Sequence, residues 1–124
     1  MKVIRTADVS KEEQTWERPG GTYQRFSQYI AGGESTPFDA ELVTLPPGAT
    51  NWPYHAHSTM WEFYIIKEGA GQVKSPEGTT DVAAGDCVMH PPGEPHNLTN
   101  TGTVDLVYFI IADNTPDKTT IHEG

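Results

Sequence analysis

Gly48-Ala49-Thr50-Asn51-Trp52-Pro53-Tyr54-His55-Ala56-His57-Ser58-Thr59-Met60-Trp61-Glu62-Phe63-Tyr64-Ile65-Ile66-Lys67-Glu68-Gly69 holds the pattern on which both the fold and the site turn. Residues 60–67 are rich in aromatic and β-branched side chains, and the run is too short for a helix, which predicts the strongest strand of the chain. His55 and His57 are two apart. On a strand that spacing sets both imidazoles on one face, with Cα atoms roughly 6.5–7 Å apart. Glu62 opens the strong strand among Met60, Trp61, Phe63, Tyr64, Ile65 and Ile66. A carboxylate buried in such company loses its hydration, and a divalent cation would compensate it. His96 follows the turn Pro91-Pro92-Gly93, in a segment able to pair back across a barrel.

Working outward, the chain reads as short strands separated by turns. Strand candidates are 22–31, carrying Tyr23, Phe26, Tyr29 and Ile30 and ended by Gly32-Gly33, and 40–45, ended by Pro46-Pro47-Gly48. Residues 52–57 form a short third, broken by Pro53. Segments 72–75 and 79–83 flank Pro76-Glu77-Gly78 as a hairpin, 86–90 follows Ala84-Gly85, 95–99 follows the Pro-Pro-Gly turn, and 104–112 is a long apolar strand. Ser10-Lys11-Glu12-Glu13 has the form of a capping box and predicts one helical turn in an otherwise irregular lead-in. The polar tail from Asp113, which contains Pro116, is expected to be disordered or laid against a partner subunit. Eight or nine strands without a long helix mean an all-β sandwich or barrel. The expected organisation is one domain over 1–124, with its core at about 22–112, a lead-in at 1–21 and a tail at 113–124.

Composition excludes several partners. Eight Lys and Arg against seventeen Asp and Glu give a formal charge of −9, a field that repels nucleic acid and anionic membranes alike. No apolar run approaches a transmembrane span, and the first residues lack the apolar stretch of a signal peptide. The lone Cys87 leaves no internal disulfide and fits a cytoplasmic protein; it is expected as a small buried hydrophobe in a strand.

His55, His57, Glu62 and His96 make an N₃O donor set that suits Fe, Mn, Zn, Ni or Cu as divalent ions and suits Ca²⁺ or Mg²⁺ poorly. A His-x-His pair by itself does not establish a site, because edge-strand or hydrogen-bonded histidines are commoner than ligands.

The flanking residues add a resemblance. The chain resembles cupins, whose first motif runs Gly, five residues, His-x-His, three or four residues, Glu, six residues, Gly. Gly48, His55, His57, Glu62 and Gly69 follow it with one extra residue after Gly48, absorbed at Asn51-Trp52-Pro53. The second motif runs Gly, five residues, Pro-x-Gly, two residues, His, three residues, Asn, and Gly85, Pro91, Gly93, His96 and Asn100 fall on it without departure. The resemblance implies a double-stranded β-helix, with the metal held inside by His55, His57, Glu62 and His96 and a homodimer as the assembly. Gly69, Gly85 and Gly93 stand where turns need positive φ, and Asn100 reads as a hydrogen-bonding residue rather than a ligand.

Function is less specified. The first expectation is a metal-dependent enzyme acting on a small, anionic molecule, with dioxygenase, decarboxylase, isomerase and lyase chemistry all open. A divalent ion with an ionised Glu62 carries a net charge of about +1, which favours anionic ligands. The alternative is a non-catalytic module that binds a small molecule or the metal; a purely structural barrel ranks last. His90 is read as an ordinary strand-end histidine or as a group facing the cavity. Arg25 is read as a surface cation or as a contact for an anionic substrate group, and His122 as solvated. Trp52, Trp61, Tyr54, Tyr64, Tyr108 and Phe109 are expected mostly in the core.

Overall fold

The computed structural model describes residues 1–122. Its strands are β1 (Glu12–Trp16), β2 (Thr22–Ala31), β3 (Phe38–Leu45), β4 (Ala49–Thr50), β5 (His55–His57) and β6 (Glu62–Glu68), then β7 (Ala70–Ser75), β8 (Gly78–Ala83), β9 (Cys87–His90), β10 (Asn97–Asn100), β11 (Leu106–Asp113) and β12 (Thr119–Ile121). One three-residue 3₁₀ turn, Thr6–Asp8, precedes them, and no described helix is long and apolar enough to cross a membrane. The main sheet runs β8-β7-β10-β4-β2-β3-β11-β6-β9, with β1 added to β2, and β12 pairs separately with β5. All these pairings are antiparallel except β2 with β4.

Period-2 alternation explains which side chains line the inside. Along β11, Leu106, Tyr108, Ile110 and Ala112 are buried while the residues between them are only partly so. The registers carry this row outward: Tyr108 lies opposite Val43 and Ile66, Ile110 opposite Glu41 and Tyr64, and Ala112 opposite Asp39 and Glu62. Cross-strand neighbours share a face, so the sheet stacks layers of inward side chains. Val43, Leu45, Ile66, Leu98, Leu106 and Tyr108 fill the deep layers, each no more than 1% exposed. Burial of each contributes about 1.5–3 kcal/mol. The layer at Ala112 is polar, and the site lies there.

Gly69 closes the turn from β6 to β7 at φ 85°, and a Cβ there would stand 2.6 Å from the Asp105 carbonyl oxygen. Both facts demand glycine.

The structure departs from the sequence reading at both ends. The helical turn expected at 10–13 is absent; Glu12–Trp16 is a strand in register with Ser27 to Tyr23 of β2. A continuous ladder on an open sheet edge outweighs one turn of helix, whose nucleation is costly. The tail is not disordered in its described part, nor does it need a partner subunit: β12 pairs with β5 of its own chain, Thr119 opposite His57 and Ile121 opposite His55. Cys87 is exposed rather than buried. Alternation along β9 turns His90 inward, which sends Met89 and Cys87 to the other side or to solvent in step. Of residues 52–57 only His55–His57 is strand.

Candidate functional site

Backbone pairing joins the two motifs directly. The His55 N–H donates to the His96 carbonyl at 3.3 Å, and the His96 N–H donates to that of His55 at 2.8 Å. The N–H of Gly93, at φ 82°, donates to the His57 carbonyl at 2.7 Å. Glu62 arrives from β6, turned inward with Tyr64 and Ile66. One ligand atom from each of His55, His57, Glu62 and His96 lies within 4.8 Å of the others. The imidazole centres of His55 stand 5.0 Å from His57 and 4.6 Å from His96.

Each imidazole is held from behind through Nδ1. That of His55 lies 2.7 Å from the Pro53 carbonyl, that of His57 2.8 Å from Asp117 Oδ2, and that of His96 3.1 Å from the Glu94 carbonyl. An acceptor at Nδ1 favours the tautomer with the proton there, leaving the Nε2 lone pair free. Glu62 Oε1 sits 2.8 Å from His96 Nε2 and 3.2 Å from His57 Nε2. In that tautomer lone pairs meet a carboxylate at hydrogen-bond distance, an arrangement that needs a proton or a metal cation between them. The His57 Nε2 is buried without a satisfactory hydrogen bond. The donor set and its orientation are compatible with a metal site.

Electrostatics follow from burial. Burial holds His55 down at about 4, helped by the neighbouring His96, so it stays neutral. For His57 burial works against the charged form, but the Glu62 and Asp117 carboxylates together outweigh it and its pKa is raised. Burial opposes ionisation of Glu62 too, and the His57 and His96 rings that face it outweigh burial, keeping its carboxyl well below the ordinary range.

His90 does not join the cluster. It lies opposite Glu62 on β9, 2% exposed, with its ring stacked on His96 at 3.7 Å and an interplanar angle of 7°. Burial, reinforced by His96, pushes its pKa down to about 3. It is therefore a neutral plate that fixes the plane of His96. Asn100 donates to the carbonyls of Leu45 and Val104 and accepts from the Gly102 N–H, as a hydrogen-bonding residue should. His122 is exposed.

Beside the cluster is a cavity of about 260 Å³, whose walls include His55, His57, Glu62, Tyr64, Asn51, Trp52, Arg25, Asp39 and Glu41. Arg25 is thus a cavity residue rather than a surface cation. Its Nε donates to Gln14 Oε1 at 2.6 Å, and its guanidinium lies 5.6 Å from the Trp16 ring centre and 5.0 Å from that of Trp52. Both Gln14 and Trp16 come from β1, so the unforeseen strand is what fixes Arg25. Trp61 is 50% exposed, against the core position expected for it.

Two site residues were missed in the sequence. Asp117 sits in a polar tail whose pairing has no periodic signal. Glu41 was recoverable: it alternates with Val43 and Leu45 on β3, and period 2 puts all three on one face.

Comparison with known proteins agrees with this architecture. An oxalate-binding protein of Thermotoga maritima is 28% identical over 112 residues, covering 88% of this chain and 91% of the relative. Among solved structures, a sugar phosphate isomerase from a cupin superfamily, from Silicibacter pomeroyi, superposes with a TM-score of 0.83 at 23% identity, covering 99% of this chain and 83% of that one. A predicted oxalate decarboxylase of T. maritima superposes at 0.82 with 24% identity, covering 92% of this chain and all 100% of its own. The sequence model of the cupin domain matches residues 41–112, more than half of the chain and including both motifs, and the protein therefore belongs to the cupin family, with its double-stranded β-helix fold.

Proposed function

We propose that His55, His57, Glu62 and His96 hold one divalent transition metal, Fe, Mn, Zn, Ni or Cu, and that the protein is a metal-dependent enzyme acting on a small organic acid in the adjoining cavity. The observation that carries this reading is the convergence of Nε2 lone pairs on Glu62 Oε1 at 2.8 and 3.2 Å, each imidazole braced through Nδ1. When bound, such an ion supplies a Lewis acid and open positions for a carboxylate or enolate oxygen. The chain's own contribution is to orient three imidazoles, to supply one carboxylate and to wall the position off from bulk water.

The cavity of about 260 Å³ beside the cluster admits a small organic acid. The oxalate-binding relative supports the same class. The test is metal analysis of the purified protein, followed by a survey of small acids for metal-dependent turnover. A His55→Ala/His57→Ala variant with full metal occupancy would refute the site.

A second reading is a module that binds the acid without converting it, favoured by the binding role in that relative's name. A stable complex of metal-loaded protein and acid, unchanged over hours, selects it. We also propose a homodimer. Phe38 of β3, Trp61 just before β6 and Met89 of β9 are exposed and line one apolar hollow, a surface a monomer leaves wet. Light scattering at tens of micromolar decides this; a clean monomer overturns it.

A further inference from the structure

The cavity has a second polar region, across Trp52 from the histidine cluster, which the metal reading does not use. Trp52 stands 5.0 Å from the Arg25 guanidinium carbon and 5.9 Å from the His55 ring, and all three line the same cavity. Arg25 is held through its guanidinium carbon, near the Trp16 and Trp52 rings, and through its Nε, which donates to Gln14. Among the described residues no carboxylate forms an ion pair with it and no acceptor engages its terminal amino groups. Glu41, also in the cavity wall, has its Oε2 buried without a hydrogen-bond partner. The Glu41 carboxyl lies within electrostatic reach of both Arg25 and Glu62. Anchored donors and an unanswered acceptor thus line one cavity.

Resting on the proposed placement of a carboxylate at the histidine cluster, we infer that Arg25 and Glu41 form a subsite for the far end of the substrate, which bears a hydroxyl. A hydroxyl accepts from Arg25 and donates to Glu41, satisfying both; a methyl satisfies neither. A second carboxylate suits the place less. Among the described residues Arg25 is the one Lys or Arg in the wall, which also holds Glu41 and Asp39, so another full negative charge meets acidic neighbours. The substrate class is therefore a short hydroxy acid, its carboxylate toward the cluster and its hydroxyl toward Arg25.

Calorimetric titration of Zn²⁺-loaded protein with matched acids tests this: acetate against glycolate, propionate against 3-hydroxypropionate, butyrate against 4-hydroxybutyrate, with succinate as the dianion. At least one hydroxy acid should bind about tenfold or more tightly than its deoxy partner, the scale of a hydrogen bond to a charged group. Arg25→Met keeps the packing between the two indoles, and Glu41→Leu keeps the volume. Each should bring that ratio close to one while leaving Zn²⁺ affinity and deoxy-acid affinity unchanged, which also shows that the variant is folded. Equal binding within every pair, a preference for succinate, a ratio that survives both variants, or no acid bound by the Zn²⁺-loaded protein would each overturn the subsite and leave the metal reading standing. Failure to bind Zn²⁺ or any other of the proposed metals, in contrast, removes the metal reading and this inference with it.

Discussion

Asp117 Oδ2 lies 2.8 Å from Nδ1 of His57, a residue sixty positions earlier in the chain. The same carboxylate accepts the backbone N–H of Thr59 at 2.9 Å and of Met60 at 3.0 Å through Oδ1. One side chain of the tail therefore orients a member of the cluster and fixes the loop between β5 and β6. Asp117→Asn can keep the backbone contacts through its remaining oxygen but turns an amide N–H toward His57, favouring the opposite tautomer. Metal affinity should fall by about 10–100-fold, measured by competition with a chromogenic chelator, with the fold retained by circular dichroism.

Removing the donors themselves should have a larger effect. His55→Ala, His57→Ala and His96→Ala each delete one donor from the converging set, and Glu62→Gln deletes its only anion. Wild-type protein with metal at 100 times its dissociation constant gains ~2.7 kcal/mol, a rise in Tm of about 10 °C for a chain of this size. None of the four variants should show that rise in a thermal-shift titration at the same metal concentration.

Glu41 predicts a pH effect of definite sign. Burial raises its pKa from the ordinary value of 4.5, with Arg25 only partly opposing, so the folded state holds this proton more tightly than the unfolded chain does. Its favourable contribution is complete below the unfolded pKa and is lost as pH rises through the folded one. Glu41→Gln should therefore raise the Tm of metal-free protein at pH 7–8, by a margin that shrinks toward pH 4. A margin that grows on acidification would contradict the assignment.

The packing makes its own prediction. Leu106 is fully buried, opposite Leu45 in the deepest layer. Leu106→Ala should cost about 2–5 kcal/mol by urea unfolding, because the facing strands cannot collapse onto the space. Gly69→Ala should also destabilise, through φ 85° and the Asp105 carbonyl at 2.6 Å.

What the sequence disclosed and what it hid have physical reasons. Strands β2, β3, β6, β7, β8 and β11 were readable because alternation and turn residues are local signals. That His55, His57, Glu62 and His96 would meet was implied by the resemblance of the two motifs to those of cupins, since the His-x-His spacing by itself did not establish a site. Strand β1 was hidden because Glu12 and Glu13 carry little strand propensity of their own, and their ladder exists only when β2 presents an edge. Asp117 and β12 were hidden for the same reason, since three exposed residues gain their conformation from β5. Cys87 went wrong by one step of register: a strand end was recognised, but the inward residue was His90, not its neighbours.

The His55–His96 bridge and the 2.8 Å contact from His96 to Glu62, thirty-four residues before it, tie together distant parts of the chain. Such contacts form only after a long loop has closed, and we predict that the cluster is assembled late on the folding route. On that route an ion bound at the cluster would be added after the rate-limiting barrier and would act as a brake on the way back. In stopped-flow experiments saturating metal should leave the refolding limb unchanged and slow the unfolding limb by nearly the whole of its stabilisation, about a hundredfold when the ion stands at 100 times its dissociation constant. The native lifetime of the protein would then be set by the supply of metal, independently of how fast the chain finds its shape.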